Sequence, residues 1–102
     1  MSLLPKEIEE ILPPLYSTEN ENDPIVHVRF YHPFTNPKWE WFLTEYSKEE
    51  KLCFGLVSGN VDAELGYFSL FELETIENIQ RVLDFKPKRL SKIHEERIQS
   101  SI

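Results

Sequence analysis

The sequence predicts an α+β domain: an antiparallel sheet of four to five strands, one main helix packed on it, and short helices at both termini. Three observations predict it. Stretches of alternating apolar and polar residues follow one another from Ile25 to Phe68, joined by short turns, which favours neighbouring antiparallel strands. The last stretch runs straight into Ser69-Leu70-Phe71-Glu72, whose S-x-x-E spacing is that of a capping box at a helix start. Apolar residues at helical spacing stand near both ends of the chain.

Pro5 to Leu12 reads as a short helix. Pro5 suits a helix start, Glu7 favours the first turn, and Ile8, Ile11 and Leu12 share one face. Pro13-Pro14 ends it, and Ser17 to Asp23 forms a polar acidic loop. Ile25 to His32 is the first strand, with Val26, Val28 and Phe30 on one side. Lys38 to Tyr46 is the second. Strict alternation puts Trp39, Trp41 and Leu43 on one face, and Glu40, Phe42, Thr44 and Tyr46 on the other.

Lys51 to Ser58 is the third strand and Glu64 to Phe68 a short fourth. Gly66 inside it is expected to mark a bulge or a close backbone approach. The main helix is expected over Ser69 to Asn78, burying Leu70, Leu73 and Ile76. Arg81 to Phe85 reads as a brief edge strand ended by Pro87. Ser91 is placed to cap a last helix from Lys92 to about Ile102, with the thin apolar stripe of Ile93, Ile98 and Ile102. The organisation expected is one domain over residues 1–92 and a basic helical extension over 93–102.

A chain of 102 residues can bury one core without disulfides or a metal. Cys53 is the one cysteine, so no internal disulfide forms, which fits a reducing cytoplasm. No leader and no apolar run of membrane-spanning length is evident. The net charge of −7 is uneven: residues 1–84 hold 6 Lys/Arg against 16 Asp/Glu, and residues 85–102 hold 5 against 2. An acidic body repels phosphates, which argues against ordinary DNA binding by the domain.

Chemistry-bearing patterns are sparse. His27, His32 and His94 form no metal-ligand spacing. The carboxylate pairs Glu9-Glu10, Glu49-Glu50 and Glu95-Glu96 read as solvated surface. Ser69 lacks the glycine elbow of a hydrolase nucleophile, so its role is a helix cap. No catalytic, cofactor or metal site is expected. The candidates for binding a protein partner are Tyr16, Trp39, Glu40, Trp41, Glu64 and Tyr67, aromatics and carboxylates expected on the sheet and beside it. The candidates for phosphate contact are the tail cations Lys86, Lys88, Arg89, Lys92 and Arg97.

Several segments carry a family likeness. They are Leu3-Leu4-Pro5-Lys6-Glu7-Ile8 with Leu12-Pro13-Pro14-Leu15-Tyr16, Trp39-Glu40-Trp41, Phe54-Gly55-Leu56-Val57, Glu64 to Leu70 with Glu72-Leu73-Glu74, and Asp84-Phe85-Lys86-Pro87. On these, to about residue 93, the chain resembles a family of short bacterial proteins known as a domain of unknown function, found on plasmids, conjugative elements and phages. The resemblance brings no catalytic residues with it. It implies an accessory role in a mobile element, such as transfer, maintenance or evasion of host defence. The leading functional expectation is therefore a non-enzymatic protein that binds another protein. In its sharper form it is an acidic anti-defence inhibitor that mimics nucleic acid before a host defence or nucleic-acid-binding protein. The alternative is a small nucleic-acid accessory factor acting through the basic tail.

Overall fold

The computed structural model describes residues 3–59 and 62–100. In chain order they form α1 (Lys6–Glu9), β1 (Ile25–Val26), β2 (Val28–Tyr31), β3 (Glu40–Ser47), β4 (Leu52–Ser58), β5 (Ala63–Ser69), α2 (Leu70–Thr75), β6 (Gln80–Arg81), β7 (Lys88–Arg89) and α3 (Leu90–Ser100). Five strands pair antiparallel in the order β5-β4-β3-β2-β6, and β1 pairs with β7 in a separate two-stranded sheet.

This corrects the expected class. The molecule is mostly sheet with short helices, and no single main helix packs on it. The helix expected over Ser69–Asn78 stops at Thr75, because Ile76 returns to extended backbone and Asn78 is left-handed at φ 72°. Consecutive β-branched residues are poor helix formers, and the Thr75 hydroxyl donates to the Glu72 carbonyl at 2.7 Å, a local bond that competes with helix propagation. Its start is as expected: Ser69 Oγ accepts from the Glu72 amide at 3.2 Å. Leu70 and Leu73 are the two residues it buries, and Ile76 is 44% exposed.

The sheet separates two cores. On one face Val28, Phe30, Trp41, Leu43 and Cys53 meet Leu70 and Leu73 of α2 and the N-terminal Leu4 and Leu12. On the other, Val26, Phe42 and Leu56 meet Leu90 and Ile93 of α3, with Phe85 alongside. At ~1.5–3 kcal/mol for each fully buried large apolar side chain, both faces contribute to stability. The N-terminal segment is held over the first core by hydrogen bonds: the Leu3 amide donates to Glu74 at 2.8 Å, and Arg81 Nε donates to the Leu3 carbonyl at 3.1 Å.

Strict alternation along β3 fails at one place. The register slips between Leu43 and Glu45, a bulge that inserts one residue. Tyr46 is thereby turned onto the Trp41 and Leu43 side, where its hydroxyl donates to Glu9 at 2.9 Å. The bulge sits against Gly55, where an added Cβ would stand 1.8 Å from the Phe42 carbonyl oxygen. So the close approach expected at Gly66 belongs to Gly55. Gly66 keeps regular pairing, and nothing lies within 4 Å of where its Cβ would be.

The first strand is also split: the His27 amide donates to the Leu43 carbonyl at 2.9 Å while Ile25 and Val26 pair with Arg89 and Lys88. The edge strand expected over Arg81–Phe85 shortens to Gln80–Arg81, extended by a Val82 amide bond to the Arg29 carbonyl at 2.9 Å. The boundary expected after residue 92 falls within α3, and the helix end expected at Ile102 lies outside the described residues. Among the described residues no helix is long and apolar enough to cross a membrane.

Candidate interaction surface and cationic cleft

The β3 bulge turns Glu45 to the α3 side of the sheet, in register with Phe54 of β4 and, through it, Tyr67 of β5. Glu45 is 5% exposed. A buried carboxylate is costly unless donors surround it. Here the amides of Tyr16 and Thr18 each donate at 2.8 Å, and the Thr18 hydroxyl donates as well. These bonds fasten the 14–20 loop to the sheet.

Tyr16 is held with φ at 70°, a left-handed conformation costing a non-glycine residue ~1–2 kcal/mol. The strained residue nevertheless presents its ring outward, 60% exposed. The neighbouring Tyr16 side chain, with partial desolvation, raises the Tyr67 phenol above its ordinary value. Tyr67 meets Phe54 edge to face at 4.9 Å, and Leu65, two residues back on the same face of β5, is 53% exposed. Among the described residues β5 pairs with β4 alone, so its outer edge offers unpaired backbone donors and acceptors.

Of the residues expected to bind a partner, Tyr16 and Tyr67 are thus brought together, and Glu64 is exposed on the other face of the same strand. Trp39, Glu40 and Trp41 are elsewhere. Trp41 is in the first core at 8% exposure, and Trp39 stacks on it at 6.0 Å while covering Gly59. Glu40 pairs with Arg29. Leu65 and Phe54 were not among the candidates. Period-two spacing from Tyr67 points to Leu65; Phe54 needs the β4–β5 register.

The tail cations divide. The Arg89 guanidinium donates to the Asp23 carbonyl at 2.9 Å and lies 3.9 Å from Glu21, and Lys92 lies 3.6 Å from Glu95. Arg97 falls among residues 97–100, whose side chains lie outside the described structure. Lys86 and Lys88 instead line a cleft with Arg29 and Lys38 of the sheet side, two cations absent from the sequence candidates. The cleft has two adjoining lobes of about 680 and 580 Å³ that share Arg29, Lys38, Val82 and Asp84. Arg29 bonds Glu40 through one nitrogen, while its buried Nε has no acceptor. Arg29 was readable as facing away from Val28 and Phe30, but its meeting with Lys86 depends on tertiary folding.

The cap of α3 also comes from afar. Ser91, expected to cap the helix, donates from its amide at 2.8 Å and its hydroxyl at 2.7 Å to the Asp23 carboxylate. The Ser91 hydroxyl and amide bonds hold Asp23 below its ordinary value.

A family model described as Protein of unknown function (DUF2958) matches residues 3–95. The chain belongs to the DUF2958 family. The matched span takes in both cores, the Tyr16 loop, β5 and the start of α3. No curated protein and no solved structure matches the chain. In this DUF2958 chain Cys53 is fully buried, and that burial, reinforced by Glu74, pushes its thiol up to about 12. Partial burial pushes His27 down from its ordinary value. Among the described residues no group of three or more His, Cys, Asp or Glu is placed to hold a metal ion.

Proposed function

We propose that this protein works without catalysis, by binding another protein across the free edge of β5 and the Tyr16–Leu65–Tyr67 surface. The observation that carries this reading is Tyr16. The fold buries a carboxylate to hold this residue in a strained conformation, and the ring so held points outward beside two other exposed side chains. Local strain maintained by tertiary bonds is a mark of functional surfaces. An open strand edge supplies main-chain affinity for an extended partner segment, and the flanking side chains supply selectivity.

The mobile-element setting implied by the family likeness and the acidic body extend the proposal. The partner is a host defence or nucleic-acid-binding protein in the cytoplasm, and the carboxylates stand where its basic channel expects phosphates. The test is capture from host lysate at low and high salt, using the wild type and a Leu65→Glu/Tyr67→Ser variant. A partner held by the wild type, lost by the variant and weakened by salt is expected. A partner indifferent to the variant overturns the β5 surface, and one indifferent to salt overturns the mimicry.

A further inference from the structure

We propose that the cleft between the β2–β3 surface and residues 82–88 binds a small phosphate-bearing anion. The cleft is distinct from the β5 edge and does not depend on the function proposed for that edge. Its floor comes from Arg29, Tyr31 and Phe42, on the sheet face opposite the first core; its wall comes from Val82 to Lys88 and α3.

Positive charge is left over in this cleft after its ion pairs are formed. Arg29 is matched by Glu40, Lys88 by Glu96 at 3.2 Å, and Arg81 Nε by the Leu3 carbonyl. Among the described residues Lys38 and Lys86 have no carboxylate partner. Lys38 rests over the Tyr31 ring at 5.5 Å instead. Opposing them is the Asp84 carboxylate, which lines both lobes and pairs with no cation among the described residues. Two unmatched lysines thus line a cavity whose floor includes Arg29, the Nε of which is buried without an acceptor, in a chain whose net charge is −7.

Concentrating unmatched cations in one concave place on an anionic protein raises the local concentration of small anions there. A phosphate offers acceptor oxygens enough to take a lysine on each side, with the guanidinium below. A long polyanion is disfavoured, because strand beyond the cleft would meet the acidic body. The phosphate has two candidate sources, free inorganic phosphate and the phosphate end of a nucleotide. The apolar side chains of Leu3, Ile79 and Val82, which line the same lobe as Tyr31, suit a flat ring in the second case.

The experiment is an NMR titration of the full chain, following backbone amides and the Arg29 Nε–H signal. Inorganic phosphate, a nucleoside monophosphate and the unphosphorylated nucleoside are added separately. Saturable shifts at Arg29 Nε–H and at the amides of residues 82–88 are expected with the first two. Equal binding of both identifies free phosphate as the source, and tighter binding of the monophosphate identifies the nucleotide. Lys38→Ala and Lys86→Ala should each weaken binding about tenfold, the loss of one charge-assisted hydrogen bond. Asp84→Asn should tighten it, which a purely structural role for the lysines does not foresee. Unchanged amide spectra away from the cleft verify that the variants fold. Three results each overturn the proposal: no saturable shift with either phosphate compound, nucleoside binding as tightly as its monophosphate, or affinity indifferent to the lysine substitutions.

Discussion

The Glu45 carboxylate accepts the Tyr16 amide at 2.8 Å across a separation of 29 residues. That bond joins a β3 bulge to the loop displaying the most strained exposed aromatic. Removing it in Glu45→Ala leaves two amides and a hydroxyl without their buried acceptor. The expected cost is about 3 kcal/mol, read from urea unfolding. Proteolysis within the 14–20 loop should accelerate in the same variant. A loop that stays protected contradicts the anchoring role.

The two glycines paired across β4 and β5 should respond in opposite ways. Gly55→Ala would drive a Cβ into the Phe42 carbonyl, so a loss of more than about 3 kcal/mol or failure to fold is expected. Gly66→Ala enters open space, and its stiffer unfolded chain should stabilise the protein by about 0.4–1 kcal/mol. Thermal melting of both variants checks the contrast, and equal destabilisation contradicts the geometry.

Ser69→Ala removes the acceptor for the Glu72 amide and should cost about 1 kcal/mol. Faster amide exchange at Glu72 should accompany the loss. Melting and exchange unchanged from the wild type would count against the cap.

Alkaline conditions should weaken the fold. Cys53 ionises at 9.0 in its ordinary state and near 12 when folded, so between these values the folded chain binds more protons than the unfolded one. Stability then falls as pH rises through that window. Tyr46 is raised too, by burial and by its bond to Glu9, and acts in the same direction. Urea midpoints should decline above about pH 9, less steeply in Cys53→Ala. A flat profile for the wild type rules the effect out.

Acid should loosen α3 first. Asp23 is held below its ordinary 3.8, so its contribution is present above that value and is lost as pH falls through the lowered folded one. Protection factors at Leu90 to Ile93 should fall under acid, and at neutral pH in Asp23→Ala. Protection that persists in the variant would show the helix start to be independent of Asp23.

The strands were legible because their burial alternates locally: Val28 and Phe30, or Leu52 to Leu56, show it without knowledge of the fold. The Ser69 cap was legible for the same reason. The bulge was not. Placing Glu45 on the α3 side and Tyr46 on the Leu43 side breaks alternation, and the cause lies on a neighbouring strand at Gly55. The cleft was equally hidden, since Arg29 and Lys86 are far apart in sequence. The aromatic candidates divided on this point too. Trp39 and Trp41 sit on a covered face, while Tyr67 sits on an edge, and only strand order distinguishes the two.

The Asp23–Ser91 contact makes the beginning of the last helix depend on a residue 68 positions upstream. On a ribosome, the β2–β3 surface is therefore made long before its cover. The second core cannot close until Ile93 has emerged, and the cleft walls arrive with that closure. Anything that binds in the cleft therefore recognises the chain only after residues 82–96 have folded onto the sheet, so occupancy there would report closure of the second core.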